Sequence, residues 1–227
     1  MYSFRNDYSE GAHPKVLQAL ADTNLRQTVG YGMDPCCQAA ADTIRRLCAA
    51  PDAAVHFLVG GTQVNLVTID AFLQSYEAVV AAQTGHVSTH ETGAIEATGH
   101  KVCTVESPDG KLTPALVESV LAGHNGTEHM VLPRMVYISD TTEIGTVYTR
   151  AELAALRQCC DVHGLFLYLD GARLGSALTS PDNDLTLPDL AALTHAFTIG
   201  GTKNGALFGE ALVLTRPMPC LLYTSPS

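Results

Sequence analysis

Short apolar runs rich in β-branched residues alternate along this chain with longer segments whose apolar residues recur at three- and four-residue steps, and few folds accept that alternation. Strands that are apolar almost throughout need cover on both faces, which the intervening helices provide. The pattern predicts an α/β fold, a mostly parallel sheet flanked by helices. The expected strands are Val55–Val59, Ala78–Ala82, Lys101–Val105, Met135–Ser139, Leu165–Leu169, Ala196–Ile199 and Ala211–Leu214. The expected helices are Pro35–Ala49, Thr62–Leu73, Thr113–Leu121 and Arg150–His163, with Thr113-Pro114 and Thr149 as openings.

A chain of 227 residues has room for one large domain, or for one domain and an incomplete second. Residues 1–14 are polar, contain Gly11 and Pro14, and read as an N-terminal arm; 15–217 reads as the large domain. The ending MPCLLYTSPS, 218–227, matches neither the preceding pattern nor a finished helix. It reads as an atypical tail, a cloning or assembly read-through after a C-terminal truncation.

With 46% hydrophobic and 16% charged residues, the chain can bury a core and is too apolar for disorder. A net charge of −10 and no basic run longer than Arg45-Arg46 argue against nucleic acid and anionic membranes as partners. Neither a signal peptide nor a long apolar span is evident, so a cytoplasmic location is expected. The 7 cysteines include the adjacent pairs Cys36-Cys37 and Cys159-Cys160 and show no CxxC spacing. They suit a reducing compartment as small buried or helix-surface residues.

In an open parallel sheet, ligands bind beyond the carboxyl ends of the strands. After Val55–Val59 comes GGTQVNL, where Gly60, Gly61 and Thr62 can cradle a phosphate at a helix start, or simply form a tight turn. After Leu165–Leu169 comes DGARL: Asp170 at a strand end suits a cationic ring nitrogen, or an ion pair with Arg173. After Ala196–Ile199 comes GGTKNGALFG, where Lys203 has small apolar neighbours and little acidic company. Such surroundings favour a nucleophilic amine, although a loop lysine is ordinarily solvated. Taken together, a phosphate cradle, a carboxylate and a lysine are the three handles of pyridoxal 5'-phosphate.

The stretch HVSTHETGAIEATGHKV, 86–102, adds His86 and His90, four apart but not in HExxH order and without an obvious third ligand. No metal is expected there. A flat imidazole lying on a flat cofactor ring is the functional alternative to a core or surface histidine.

From Phe4 to Arg216 the chain resembles the threonine aldolase and β-eliminating lyase group of pyridoxal-phosphate enzymes, of fold type I. FRNDYSEGAHP, GGTQVNL, HVSTHETGAIEATGHKV, YLDGARLGSAL and IGGTKNGALFG carry the resemblance, in that order. It implies that Lys203 joins the cofactor covalently, that Asp170 keeps the pyridine nitrogen protonated, and that His86 stacks on the ring. It further implies that Gly60, Gly61 and Thr62 hold the phosphate, that Arg173 contacts cofactor or substrate near Asp170, and that Asn6 faces the substrate carboxylate. A homodimer or homotetramer is implied, as is a small C-terminal domain that this chain lacks. Aldolases of the group carry a histidine in the loop after the strand ending at Ser139; here the run is DTTEIGT, with Glu143 at that place.

The resemblance points to cleavage of the Cα–Cβ bond of a β-hydroxy amino acid, L-threonine or allo-threonine, to glycine and acetaldehyde. β-Elimination on another amino acid uses the same cofactor and lysine and stays open. A non-catalytic α/β interaction module is the reading from another class. It would leave the three handles a coincidence.

Overall fold

The computed structural model describes residues 3–124 and 126–216; the 218–227 tail and its Cys220 lie outside them. In chain order the elements are α1 (Pro14–Thr23), α2 (Pro35–Leu47), β1 (Ala54–Leu58), α3 (Gly61–Phe72), β2 (Glu77–Ala82), α4 (His86–Thr89), α5 (Ala94–Ala97) and β3 (Lys101–Val105). These are followed by α6 (Pro114–Ala122), β4 (Leu132–Ser139), α7 (Arg150–His163), β5 (Phe166–Asp170), α8 (Leu174–Leu178), α9 (Leu187–Leu193), β6 (Ala196–Gly200) and β7 (Glu210–Leu214).

The strands form one 7-stranded sheet in the order β1-β7-β6-β5-β4-β2-β3. β7 runs antiparallel to both β1 and β6, and the other pairs are parallel, so the sheet is mostly parallel as the alternation predicts. Side chains alternate between two cores. Val79, Met135, Tyr137 and Tyr168 pack with Val64, Ile69 and Phe72 of α3 on one face. Val80, Val136, Ile138, Leu167 and Leu169 pack with Val117, Leu153, Leu156 and Leu190 of α6, α7 and α9 on the other.

Helix starts follow local chemistry. Thr149 caps α7 in a reciprocal box with Glu152, and Asp34 accepts the N–H groups of Cys36 and Cys37 where Pro35 opens α2. The sequence pattern misses α1, whose Pro14 stands at the first helical turn rather than at the end of an arm. It also misses the short helices α4, α5, α8 and α9, which have too few turns to display periodicity. β5 lies one residue later than expected, so Asp170 is its last residue and not the first of a loop. Cys48, Cys103, Cys159 and Cys160 are buried and unbridged. Among the described residues, no helix is long and apolar enough to cross a membrane.

Candidate active site

Six of the seven strands point the same way, so their carboxyl ends share one edge of the sheet. From β2 the chain steps outward to β3, whereas β4, β5 and β6 proceed in the opposite direction, which opens a crevice at the β2/β4 switch point. Along that edge stand Gly60 after β1, His86 after β2, Glu143 after β4, Asp170 at the end of β5 and Lys203 after β6.

A buried polar chain links the centre. His86 Nδ1 lies 2.8 Å from Glu91 Oε1, the Asn65 amide nitrogen donates to that same oxygen at 2.7 Å, and it donates to Asp170 Oδ2 at 2.8 Å. Tyr137 donates its hydroxyl to Asp170 Oδ2 at 2.6 Å, and the Ala172 N–H donates to Oδ1 at 2.9 Å. The hydrogen bond to Glu91 raises the His86 pKa against the opposing effect of burial, helped by the charges of Glu143, Glu91 and Asp170. Desolvation and the adjacent Asp170 hold the Tyr137 hydroxyl well above its ordinary value, so it stays a neutral donor.

The loop after β5 is tied to β6 by one backbone-to-side-chain and one backbone-to-backbone hydrogen bond. Gly171 N–H donates to Thr198 Oγ1 at 2.7 Å and Gly200 N–H to Gly171 O at 3.0 Å. A Cβ on Gly171 would collide with the Thr198 carbonyl, and one on Gly200 would collide with Ala172, so these glycines permit the approach that brings the Asp170 and Lys203 loops side by side.

Lys203 is half-buried, with Nζ 5.8 Å from the centre of the Tyr8 ring. The expectation of little acidic company is corrected. The charge of Lys203 acts on Asp7 and on Glu210, which is buried at the start of β7 and accepts the Thr202 hydroxyl at 3.0 Å. Folding brings both carboxylates in, Asp7 on the arm and Glu210 on the neighbouring strand.

Arg173 does not make the alternative ion pair with Asp170. Its Nε lies 2.6 Å from Asp7 Oδ2 and its Nη2 3.2 Å from Asp7 Oδ1, while Nη1 lies 3.7 Å from Glu143. Asp170 is instead satisfied by Asn65, Tyr137 and Ala172. Asn6 lines one cavity with Asp7, Thr202 and Lys203, its Oδ1 accepting from Tyr8 N–H and the Ser9 hydroxyl.

Gly60 caps α3 in an extended conformation, φ −158°, with no side chain bonded to the exposed helix N–H groups. A Cβ on Gly60 or Gly61 would meet nothing within 4 Å. The glycines therefore keep space open above a helix N-terminus, which suits an approaching anion; no protein contact there requires them.

The His86 and His90 rings are 5.6 Å apart, and Glu91 occupies Nδ1 of the first. Elsewhere, Glu118, Cys159 and His163 on α6 and α7 bring three ligand atoms within 4.8 Å of one another. They lie toward the amino ends of the strands, and burial pushes the Cys159 thiol up, away from the thiolate a metal binds.

Sequence reasoning missed Asn65, Glu91, Tyr137 and Glu210. Asn65 and Glu91 stand inside GGTQVNL and HVSTHETG; for Asn65 the available signal was a polar residue on the apolar face of α3, whereas Glu91 sits in the bend between α4 and α5 and carried no periodic signal. Tyr137 lay in an apolar strand run, where a buried hydroxyl calls for a partner.

The Beta-eliminating lyase family matches residues 4–217. The low specificity L-threonine aldolase of Pseudomonas aeruginosa is 34% identical over 212 residues, covering 92% of this chain and 61% of that protein. That of Pseudomonas sp. is 36% identical over 215 residues with the same coverage, so the chain spans about three fifths of the length of these relatives. A solved structure of Leishmania major threonine aldolase superposes with a TM-score of 0.93 at 58% identity, over 95% of this chain and 63% of that one. With this sheet, this order of motifs and these likenesses together, the chain belongs to the beta-eliminating lyase family.

Proposed function

We propose that this chain forms the cofactor-binding part of a pyridoxal 5'-phosphate-dependent lyase that cleaves L-threonine or allo-threonine to glycine and acetaldehyde. The carrying observation is the convergence of Lys203, Asp170, His86 and the open N-terminus of α3 on one edge of the sheet. The choice of aldol cleavage rests on the 58% identity to the Leishmania major threonine aldolase.

The residues present fit the cofactor. The uncapped start of α3, with open space over Gly60 and Gly61, suits the phosphate, and the Thr62 hydroxyl adds a donor. Asp170 receives three donors, and a carboxylate has about four acceptor positions, so capacity remains for a ring N–H. Lys203 supplies the amine.

Bound pyridoxal phosphate supplies an electron sink for the pair released when a bond at the substrate Cα breaks. Asp170 contributes the negative charge that keeps a proton on the ring nitrogen facing it. His86 would stack on the cofactor ring; with Nδ1 held by Glu91, its Nε2 is the nitrogen free to move the β-hydroxyl proton. Arg173 uses Nε and Nη2 on Asp7 and keeps further N–H donors for the substrate carboxylate, beside Asn6. Lys203 would hold the cofactor covalently in the resting protein, and its amine would be the group that moves the proton at the substrate Cα.

A homodimer or homotetramer belongs to the same proposal. Leu17, Leu20, Leu25, Val29, Tyr31 and Met33 are exposed along one stretch, and α1 buries none of its residues.

The test is product analysis with cofactor added. Glycine and acetaldehyde from L-threonine support the proposal; pyruvate and ammonia from L-serine, with threonine untouched, would replace it by β-elimination.

A further inference from the structure

Asn65 lies on the buried face of α3 with its amide nitrogen 2.7 Å from Glu91 Oε1 and 2.8 Å from Asp170 Oδ2. Its orientation is dictated by its neighbours. Oδ1 accepts the Tyr168 hydroxyl at 2.6 Å, and the reversed amide would turn an oxygen toward two carboxylates. Asn65, Glu91 and Asp170 are 1%, 3% and 5% exposed, so solvent screens none of them.

Two carboxylates so close in a buried site ordinarily share a proton, because both cannot ionise against each other in low dielectric. Neither can give up its charge here without consequence. Glu91 holds His86 through Oε1, and its Oε2 has no partner among the described residues. The groups facing His86 are Glu91, Glu143, Asp170 and the His90 ring.

We propose that Asn65 replaces that shared proton, its two N–H groups satisfying one oxygen of each carboxylate so that Glu91 and Asp170 are anionic at the same time. One carboxylate then orients the imidazole of His86 while the other faces the cofactor ring. Asn65 is a positioning residue, touching neither substrate nor cofactor. Its part toward the ring rests on the proposed cofactor; its effect on the two carboxylates belongs to the chain alone.

The test is therefore made without cofactor, by infrared spectroscopy of Asn65→Leu and Asn65→Thr against wild type at neutral pH. The leucine offers no donor and the threonine only one. The expected result in Asn65→Leu is a new neutral-carboxyl C=O band worth about one proton per chain, with an equal or weaker band in Asn65→Thr. Adding Glu91→Gln should abolish the band, since Asp170 alone keeps Tyr137 and the Ala172 N–H. Asp140, itself pushed up by burial, contributes to all the spectra and cancels in the difference. Circular dichroism checks folding, and if the leucine variant does not fold the threonine variant decides. Folded variants with no new band would overturn the proposal whatever cofactor the protein takes.

Discussion

Asp7 and Arg173 are 166 residues apart in the chain and form a two-pronged ion pair, Nε to Oδ2 at 2.6 Å and Nη2 to Oδ1 at 3.2 Å. The pair attaches the N-terminal arm to the loop after β5, and Arg173 lowers the Asp7 pKa, so the contact persists into acid. Both side chains are partly exposed, at 28% and 45%, so the pair adds little to global stability. In the proposed function the pair aims the guanidinium at the substrate carboxylate. In Asp7→Asn the melting temperature should stay near wild type while KM for the amino acid rises roughly fivefold and kcat changes by less than about twofold. Steady-state kinetics checks this; an unchanged or lower KM would mean that Asp7 does not orient Arg173 for substrate.

Gly60 distinguishes an anion cradle from a tight turn. Its backbone is extended, a conformation any residue adopts, and a Cβ there meets no protein atom. Gly60→Ala should therefore fold with an unchanged melting temperature and bind pyridoxal phosphate about tenfold more weakly, a loss of about 1.4 kcal/mol. Equilibrium dialysis measures the affinity. Retained affinity would leave the glycine as a turn residue only.

In the proposed function Lys203 is the residue that joins the cofactor covalently. Lys203→Ala removes a half-buried side chain whose contact is the face of Tyr8, so circular dichroism should be unchanged. The yellow colour on adding cofactor should be lost, and turnover should fall by roughly 10³-fold or more. Wild-type absorbance in this variant would refute the assignment of the whole site.

Asp140 makes stability depend on pH. It is 1% exposed, Oδ1 accepts the Tyr148 N–H at 3.3 Å, and Oδ2 has no partner among the described residues. Burial pushes its carboxyl from 3.8 up to about 7. A carboxyl raised in the folded state favours folding while protonated; that contribution is complete below its unfolded value and disappears as pH climbs through about 7. Asparagine cannot ionise. Asp140→Asn should therefore gain on wild type between about pH 4 and pH 9, by up to about 4 kcal/mol. Urea denaturation at the two pH values checks the sign, and a gap that does not grow with pH would show that Asp140 ionises without penalty.

Much of the fold was legible because strands buried on both faces must be apolar throughout. Ala78–Ala82 could be read nearly to the residue for that reason, and Thr149 marked the start of α7 by its own capping chemistry; Lys101–Val105, at the sheet edge with Lys101 and Thr104 exposed, matched its expected bounds without cover on both faces. Helix α1 was equally legible in PKVLQALADT, with proline at its first turn, but its polar approach hid it. Asp170 stood out because it ends an apolar run just before Gly171, and Lys203 because it lies in the glycine-rich loop that follows another.

The residue types at each strand end, and hence the kind of chemistry available, were determined by the sequence, since strand periodicity and glycine-rich turns are local properties. Which charges meet was decided only in three dimensions. Asp170 has Asn65 and Tyr137 as partners where Arg173 was the nearer candidate in sequence, and Arg173 has Asp7. Hydrogen-bond partners are chosen by distance after the sheet has closed, and electrostatic interaction falls with separation in space, to which separation along the chain is no guide.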